Sequence, residues 1–228
     1  MTHKLKLMKP DTTSIEALKS SWENLLQSFI VDPRISQKIF FELVTAYSST
    51  GRFYHTLKHI QQILEAIEPM RPLAKNFSAI QLAAWFHDVV YNSKFQENEE
   101  RSAEYTATAL TQLKIPINTL ESVQVLIFNT KNHQAAPSDI DSQIFLDADL
   151  AILGSPELEY KAYTQAIRQE YSWVNEQSYI VGRQQVLSNF LRRERIYLTK
   201  QMFLSLEADA RRNMQNEILD LSRKQDNL

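Results

Sequence analysis

The chain is predicted to be all-α, a bundle of nine or ten helices in outline, and three observations carry the prediction. It holds three glycines in 228 residues, against a usual share of about 7%. Residues that adopt a positive φ cheaply are therefore scarce, and repeated tight hairpins are disfavoured. Apolar residues recur at steps of three and four along nearly the whole chain, which is the period of one helix face. Small polar residues followed by glutamate, and prolines placed to open or stop helices, punctuate those runs.

Taken in order, Thr13 and Glu16 form a capping box, after which Ile15, Leu18, Trp22, Leu25 and Phe29 form the stripe of a first helix over 14–30. Asp32 and Pro33 open a second helix, with Ile35, Ile39, Phe40, Leu43 and Tyr47 on its apolar face, and Gly51 closes that region. Leu57, Ile60, Ile63, Leu64 and Ile67 mark a third, stopped by Pro69 and Pro72. The segment 77–91 is apolar on nearly all sides, as a helix in the middle of a core must be, and His87 and Asp88 fall in its last turn. Asn98 and Asn118 are read as caps of two further helices, the second forming a box with Glu121. By periodicity alone the run IFLDADLAIL fits a buried strand or a helix; Gly154 as its closing residue and Pro156 as the next opening decide for a helix. From Pro156 onward the chain reads as three or four amphipathic helices rich in tyrosine and arginine. With no repeat, low-complexity tract or linker, residues 1–228 read as one domain, a core over about 20–155 with C-terminal helices over about 156–228 packed around it.

Composition excludes several function classes. So few glycines leave no Rossmann fingerprint, Walker A loop or nucleophile elbow. With zero cysteines there is no disulfide, thiol nucleophile or iron-sulfur cluster, and any metal must be held by nitrogen and oxygen. The 25 basic and 27 acidic residues give a net charge of −2 without a basic run, so neither nucleic acid nor an anionic membrane is an expected partner. A small molecule or a protein is. No stretch resembles a signal peptide or a membrane span, which predicts a cytoplasmic protein.

The residues that could carry chemistry are concentrated. Four of the five histidines lie between positions 55 and 133, and His3 is expected to be an exposed terminal residue. On a shared helix, His55 and His59 would lie one above the other on a single face. His59 neighbours Ile60, Ile63 and Leu64 and so points inward. In FLDADLAIL, Asp149 falls near the centre of the apolar face at about 100° per residue, whereas Asp147 falls nearly opposite and is expected to face solvent or to support the site from behind. A carboxylate on an apolar face is costly unless paired or metal-bound, and Asp88, at the end of an apolar helix, raises the same question. Each residue alone fits a satisfied core group or an ion pair. Together, two imidazoles and two carboxylates facing inward from three helices, His59, His87, Asp88 and Asp149, make a site for a first-row divalent metal. No histidine has a glutamate three residues before it, and H-E-x-x-H is absent, which excludes ferritin-like di-iron pairs and zincin proteases.

The order His59, His87-Asp88, Asp149 resembles the signature of the HD-domain metal-dependent phosphohydrolases, with 28 residues from His59 to His87 and 61 from Asp88 to Asp149. The blocks GRFYHTLKHI, WFHDVVY, NEERSA, FLDADLAILG, IRQEY, VGRQQVLSNFL and EADARRN are similar to those of a small bacterial family within that superfamily, and the likeness runs from about Trp22 to Leu219. The resemblance implies an HD-domain-like multi-helix bundle with a central metal site, and a metal-dependent phosphohydrolase cleaving a phosphate ester, with nucleotides as candidate substrates; the ligand types themselves suit Mn, Fe, Co, Ni, Zn or Mg as the divalent ion. YHTLKH is also similar to the Y-H-N-x-x-H motif of cyclic-nucleotide phosphodiesterases, which implies His55 as general acid and His59 as ligand. The chain departs from that motif at Thr56 and lacks the histidine of the later H-D-x-x-H block. His133, in NTKNH, stands where some HD proteins place an extra histidine, for a second metal or, with Lys131, for substrate phosphate. Glu99, opening a helix after the His-Asp pair, is read either as a favourable helix-terminus charge or as the group that positions the attacking water. Arg52, Arg168 and Arg183 are the arginine candidates for phosphate contact, with a solvated helix face as the alternative for each. The rival from another class is a non-catalytic metal- or nucleotide-binding module, and a retained general acid at His55 favours the enzyme.

Overall fold

The structure, a computed structural model, describes residues 12–226; His3 and the side chain of Thr13, with its capping box, lie outside the described residues. Among those residues are ten α-helices and no strand: α1 (Thr12–Leu26), α2 (Pro33–Tyr47), α3 (Leu57–Ile67), α4 (Phe77–Phe86), α5 (Asn98–Gln112), α6 (Ile117–Thr130), α7 (Ile140–Asp149), α8 (Glu157–Glu170), α9 (Glu176–Leu191) and α10 (Lys200–Gln225). Short 3₁₀ turns follow α3 at 68–73 and α7 at 150–154.

Several ends are set by the predicted chemistry. The Asp32 carboxylate accepts from the Arg34 N–H, with Pro33 in the first turn of α2. Asn76, Asp139, Asn175 and Thr199 cap α4, α7, α9 and α10 in the same way. Other ends differ from the sequence reading. The first helix stops at Leu26 rather than 30, because the chain must reverse over 27–31 to lay α2 against α1; Ile30 is left 97% exposed on the outside of that reversal. Asn98 does not cap α5. Its amide instead ties down the preceding loop, accepting from the Asn92 N–H and donating to the Asn92 and Phe95 carbonyls. Pro116, not Asn118, stands at the start of α6.

Seven residues of α4 are buried, from Ala79 to Phe86. This helix is the axis of the core, and α3, α5, α6 and α7 pack around it. Trp85 meets Trp22 and Phe40 edge to face at centroid distances of 5.5 and 6.0 Å, which anchors α1 and α2 to the same core. From the C-terminal side, α10 crosses the 150–154 turn and packs against α9. Gly154 belongs to that crossing and is not a left-handed helix cap: a Cβ there would sit 2.7 Å from the Leu206 Cβ and 2.9 Å from its carbonyl oxygen. Glycine is required by close approach, where α10 packs on the turn that follows α7.

Asp147 corrects the sequence reading. It does leave α7 on the side away from Asp149, but that side is not solvent. The chain at 196–199 covers it, so that Asp147 is fully buried and accepts from the Leu198 N–H, the Thr199 N–H and the Thr199 hydroxyl, each at 2.7 Å. Helical geometry placed the two aspartates on opposite faces; it could not show that both faces are core. Asp147→Ala would strand three buried donors at about 1–3 kcal/mol each. We expect a loss of about 3 kcal/mol or more, a fall in Tm of roughly 10 °C for a chain of this size, with metal binding kept; a thermal melt alongside metal analysis checks both.

Candidate metal centre

Three helices deliver their ends to one point. His59 sits in the first turn of α3, on the face that buries Ile60 and Ile63. His87 is the residue that closes α4, one turn beyond the fully buried Ala83 and Ala84. Asp149 is the last residue of α7. The His59 Nε2 lies 3.1 Å from Asp149 Oδ1 and 3.3 Å from His87 Nε2, and one ligand atom from each of His59, His87 and Asp149 falls within 4.8 Å of the others. These three residues could hold a metal ion. On His87 the orientation is fixed from behind: Nδ1 lies 3.2 Å from the Ala84 carbonyl and donates to it, which leaves Nε2 free to face the cluster. Two imidazole nitrogens and a carboxylate, buried and convergent, suit a borderline divalent ion such as Zn, Fe, Co, Ni or Mn.

Asp88 stands at the edge of this group rather than within it, with Oδ2 3.0 Å from His87 Nε2 and 3.8 Å from His55 Nε2. Its backbone N–H donates to the Tyr47 hydroxyl, so α2 supports it. His133, expected from the sequence to contact phosphate or a second metal, places its Nε2 3.0 Å from Asp149 Oδ2. The residue adopts φ +46, a strained left-handed conformation for a histidine. Arg193 sustains it by donating to the carbonyls of Asn132 and His133, both at 2.8 Å.

Charge shapes the cluster. Burial alone would strip the proton from His87, but the adjacent carboxylates of Asp88 and Asp149 outweigh it and hold its pKa up at about 9. His59 goes the other way: burial lowers its pKa more than Asp149 raises it. Burial works against the Asp149 and Asp88 carboxylates, yet the surrounding histidines hold both well below the usual range. With no metal bound, the stability that protonated His87 contributes is complete below its ordinary 6.5 and is lost as the pH rises through about 9. A metal must displace that same proton, so apparent metal affinity should climb about tenfold per pH unit from 6 to 8. Calorimetric titrations at three pH values test this; an affinity indifferent to pH would place the ion elsewhere.

His87, Asp88 and Asp149 form part of the wall of a cavity of about 820 Å³, which also takes in His55, Tyr91, Phe95, Glu99, Lys131, His133, Tyr171, Tyr179, Arg183 and Phe190; His59 lies behind that wall. Comparison of this chain with family models, with curated proteins and with solved structures gave no match. Function therefore rests on the site itself. No helix among the described residues is long and apolar enough to cross a membrane.

The other predicted residues divide into those at the cavity and those employed elsewhere. His55 is at the cavity but in the turn before α3, not on that helix, so the four-residue stacking with His59 does not apply; their rings meet edge to face at 5.8 Å. Glu99 lines the cavity, and so does Lys131, which is paired with Glu100 across the α5–α6 contact. Arg183 lines it too, but is buried and held by Glu217 through Nε at 2.8 Å and Nη2 at 3.1 Å. Arg52 is not brought to the cavity wall. It donates to the carbonyls of His55, Asp88 and Val89, tying the turn before α3 to the end of α4. Arg168 is likewise committed, to Glu176 and to the carbonyls of Tyr171 and Val174.

One group at the site escaped the sequence reading. Glu170, the last residue of α8, is 4% exposed, with its carboxylate against His55. The signal was present: Tyr160, Tyr163 and Ile167 place position 170 on the apolar face of α8, the same argument that singled out Asp149.

Proposed function

We propose that the protein is a metal-dependent phosphohydrolase acting on a phosphate ester, with nucleotides the leading substrate class. The observation that carries this reading is the convergence of His59, His87 and Asp149 beside a large cavity, whose wall includes His87 and Asp149 together with His55. His59, His87 and Asp149 would hold the ion, and Asp88, beside His87, would complete its shell. A bound divalent ion supplies a Lewis acid for the phosphoryl oxygens and lowers the pKa of a water molecule.

The chain's own groups do the rest. His55 presents Nε2 on the side of Asp88, placed to give a proton to the leaving oxygen. Water forms the new P–O bond, the ester P–O bond breaks with its electron pair on the departing oxygen, and that oxygen takes the His55 proton. The proton released by the water returns the histidine to its starting state through solvent. Lys131 and His133 face the developing phosphate charge. Tyr91, Phe95, Tyr171, Tyr179 and Phe190 offer flat apolar surface for a base, and the volume matches a ligand of nucleotide size.

The test is a screen of chelator-stripped protein, reconstituted separately with Mn, Fe(II), Co, Ni, Zn or Mg, against phosphate mono- and diesters that include nucleotides. Metal-dependent turnover of at least one ester is expected. Ligand binding without turnover under every metal would overturn the enzyme and leave a sensing module.

A further inference from the structure

We propose that Glu170 is a positioning residue that sets which nitrogen of His55 faces the cavity. Its two oxygens have separate tasks. Oε1 accepts the backbone N–H groups of Phe53, Tyr54 and His55 at 2.8, 2.8 and 3.0 Å, closing the turn before α3 around an anion. Oε2 accepts from the Tyr91 hydroxyl at 2.9 Å and lies 2.6 Å from His55 Nδ1. An ionised carboxylate only accepts. The short contact therefore requires the proton on Nδ1, and Nε2 is left on the cavity side near Asp88. The ring cannot turn over, since Tyr91 lies across its face at 4.2 Å and Tyr54 meets it edge-on at 5.0 Å.

A clamp for the backbone would need only Oε1. The contact of Oε2 with the imidazole is what a purely structural role does not require, and it joins the end of α8 to a residue 115 positions earlier. A carboxylate that fixes the tautomer of an acid-base histidine is a general device, because the wrong tautomer presents the wrong hydrogen-bonding atom to substrate.

Glu170→Gln separates the two tasks. Its amide oxygen can still accept the three N–H groups, whereas its NH₂ group would replace Oε2 and cannot accept from Nδ1–H. The full chain labelled with ¹⁵N-histidine, with His55 assigned by comparison with His55→Ala, reports the tautomer directly. In the wild type a hydrogen-bonded Nδ1–H is expected; in Glu170→Gln that signal is lost or the proton moves to Nε2, with bound metal unchanged. A wild-type His55 bare at Nδ1 overturns the proposal even if the variant fails to fold, as does an unaltered signal in a folded variant.

The catalytic consequence rests on the proposed function. With an ester from the screen, Glu170→Gln should lower kcat by about 100-fold, the lower end of the range for losing the acid itself. KM should change little, a nitrophenyl leaving group should be affected far less, and His55→Ala should allow no further loss. Equal losses on good and poor leaving groups would return Glu170 to a structural clamp. A wild type that hydrolyses no ester would sink the phosphohydrolase reading while the labelled-histidine result still decides the role of Glu170.

Discussion

Replacing Asp149 or His87 with alanine is expected to remove the bound divalent ion and all metal-dependent turnover, the largest effect of any substitution at this site. Each change deletes one of three candidate ligand atoms that lie within 4.8 Å of one another. Asp149 has a second consequence. Its two oxygens face His59 and His133 separately, so its loss leaves both imidazoles without their partner. The helical circular-dichroism signal should persist, because the core around Trp85 and Ile80 does not depend on the site. Stability is the independent readout. An ion that binds only the folded chain, present at 100 times its Kd, adds about 2.7 kcal/mol. A chelator should therefore lower the Tm of the wild type by several degrees and leave both variants nearly unmoved. Equal chelator effects on wild type and variants would contradict the assignment.

His55→Ala is expected to keep the metal and to lose about 100-fold to 10,000-fold in rate on substrates with poor leaving groups, the range for removing a general acid. His55 lies 3.8 Å from Asp88 through Nε2 and 2.6 Å from Glu170 through Nδ1. Burial disfavours its proton, but the charge of Asp88 and the hydrogen bond it donates to Glu170 outweigh that and raise its pKa above the ordinary 6.5. That shift favours the doubly protonated ring, in which Nδ1–H stays on Glu170 and Nε2 holds the proton to be given. A nitrophenyl ester, whose leaving group needs little protonation, should show a much smaller loss in paired kinetic assays. Loss of the metal in this variant would instead make His55 a ligand.

Much of this was legible before the structure because helical spacing carries the information. The apolar stripe of α3 pointed His59 inward, and the apolar character around Asp149 marked a carboxylate that needed partners. Spacing cannot show what covers the other side of a helix. Asp147 is therefore read from spacing as facing solvent or supporting the site from behind, when the segment 196–199, fifty residues away, folds over it. The same limit applies to the arginines. Arg52, Arg168 and Arg183 were available as charges in the sequence, but their hydrogen bonds to carbonyls and to Glu176 and Glu217 depend on which turns the chain brings together. Glu170 is the opposite case, since the stripe argument applied to α8 would have found it.

A divalent ion held by His59, His87 and Asp149 is measurable without any substrate. Titration of the chelator-treated full chain with Co²⁺, followed by calorimetry and by the visible absorption of the bound ion, tests it most directly beside His59→Ala. The wild type is expected to bind one equivalent, with a spectrum of nitrogen and oxygen ligands, and the variant to retain none. No binding to the wild type, or the same stoichiometry and spectrum in both proteins, would contradict it.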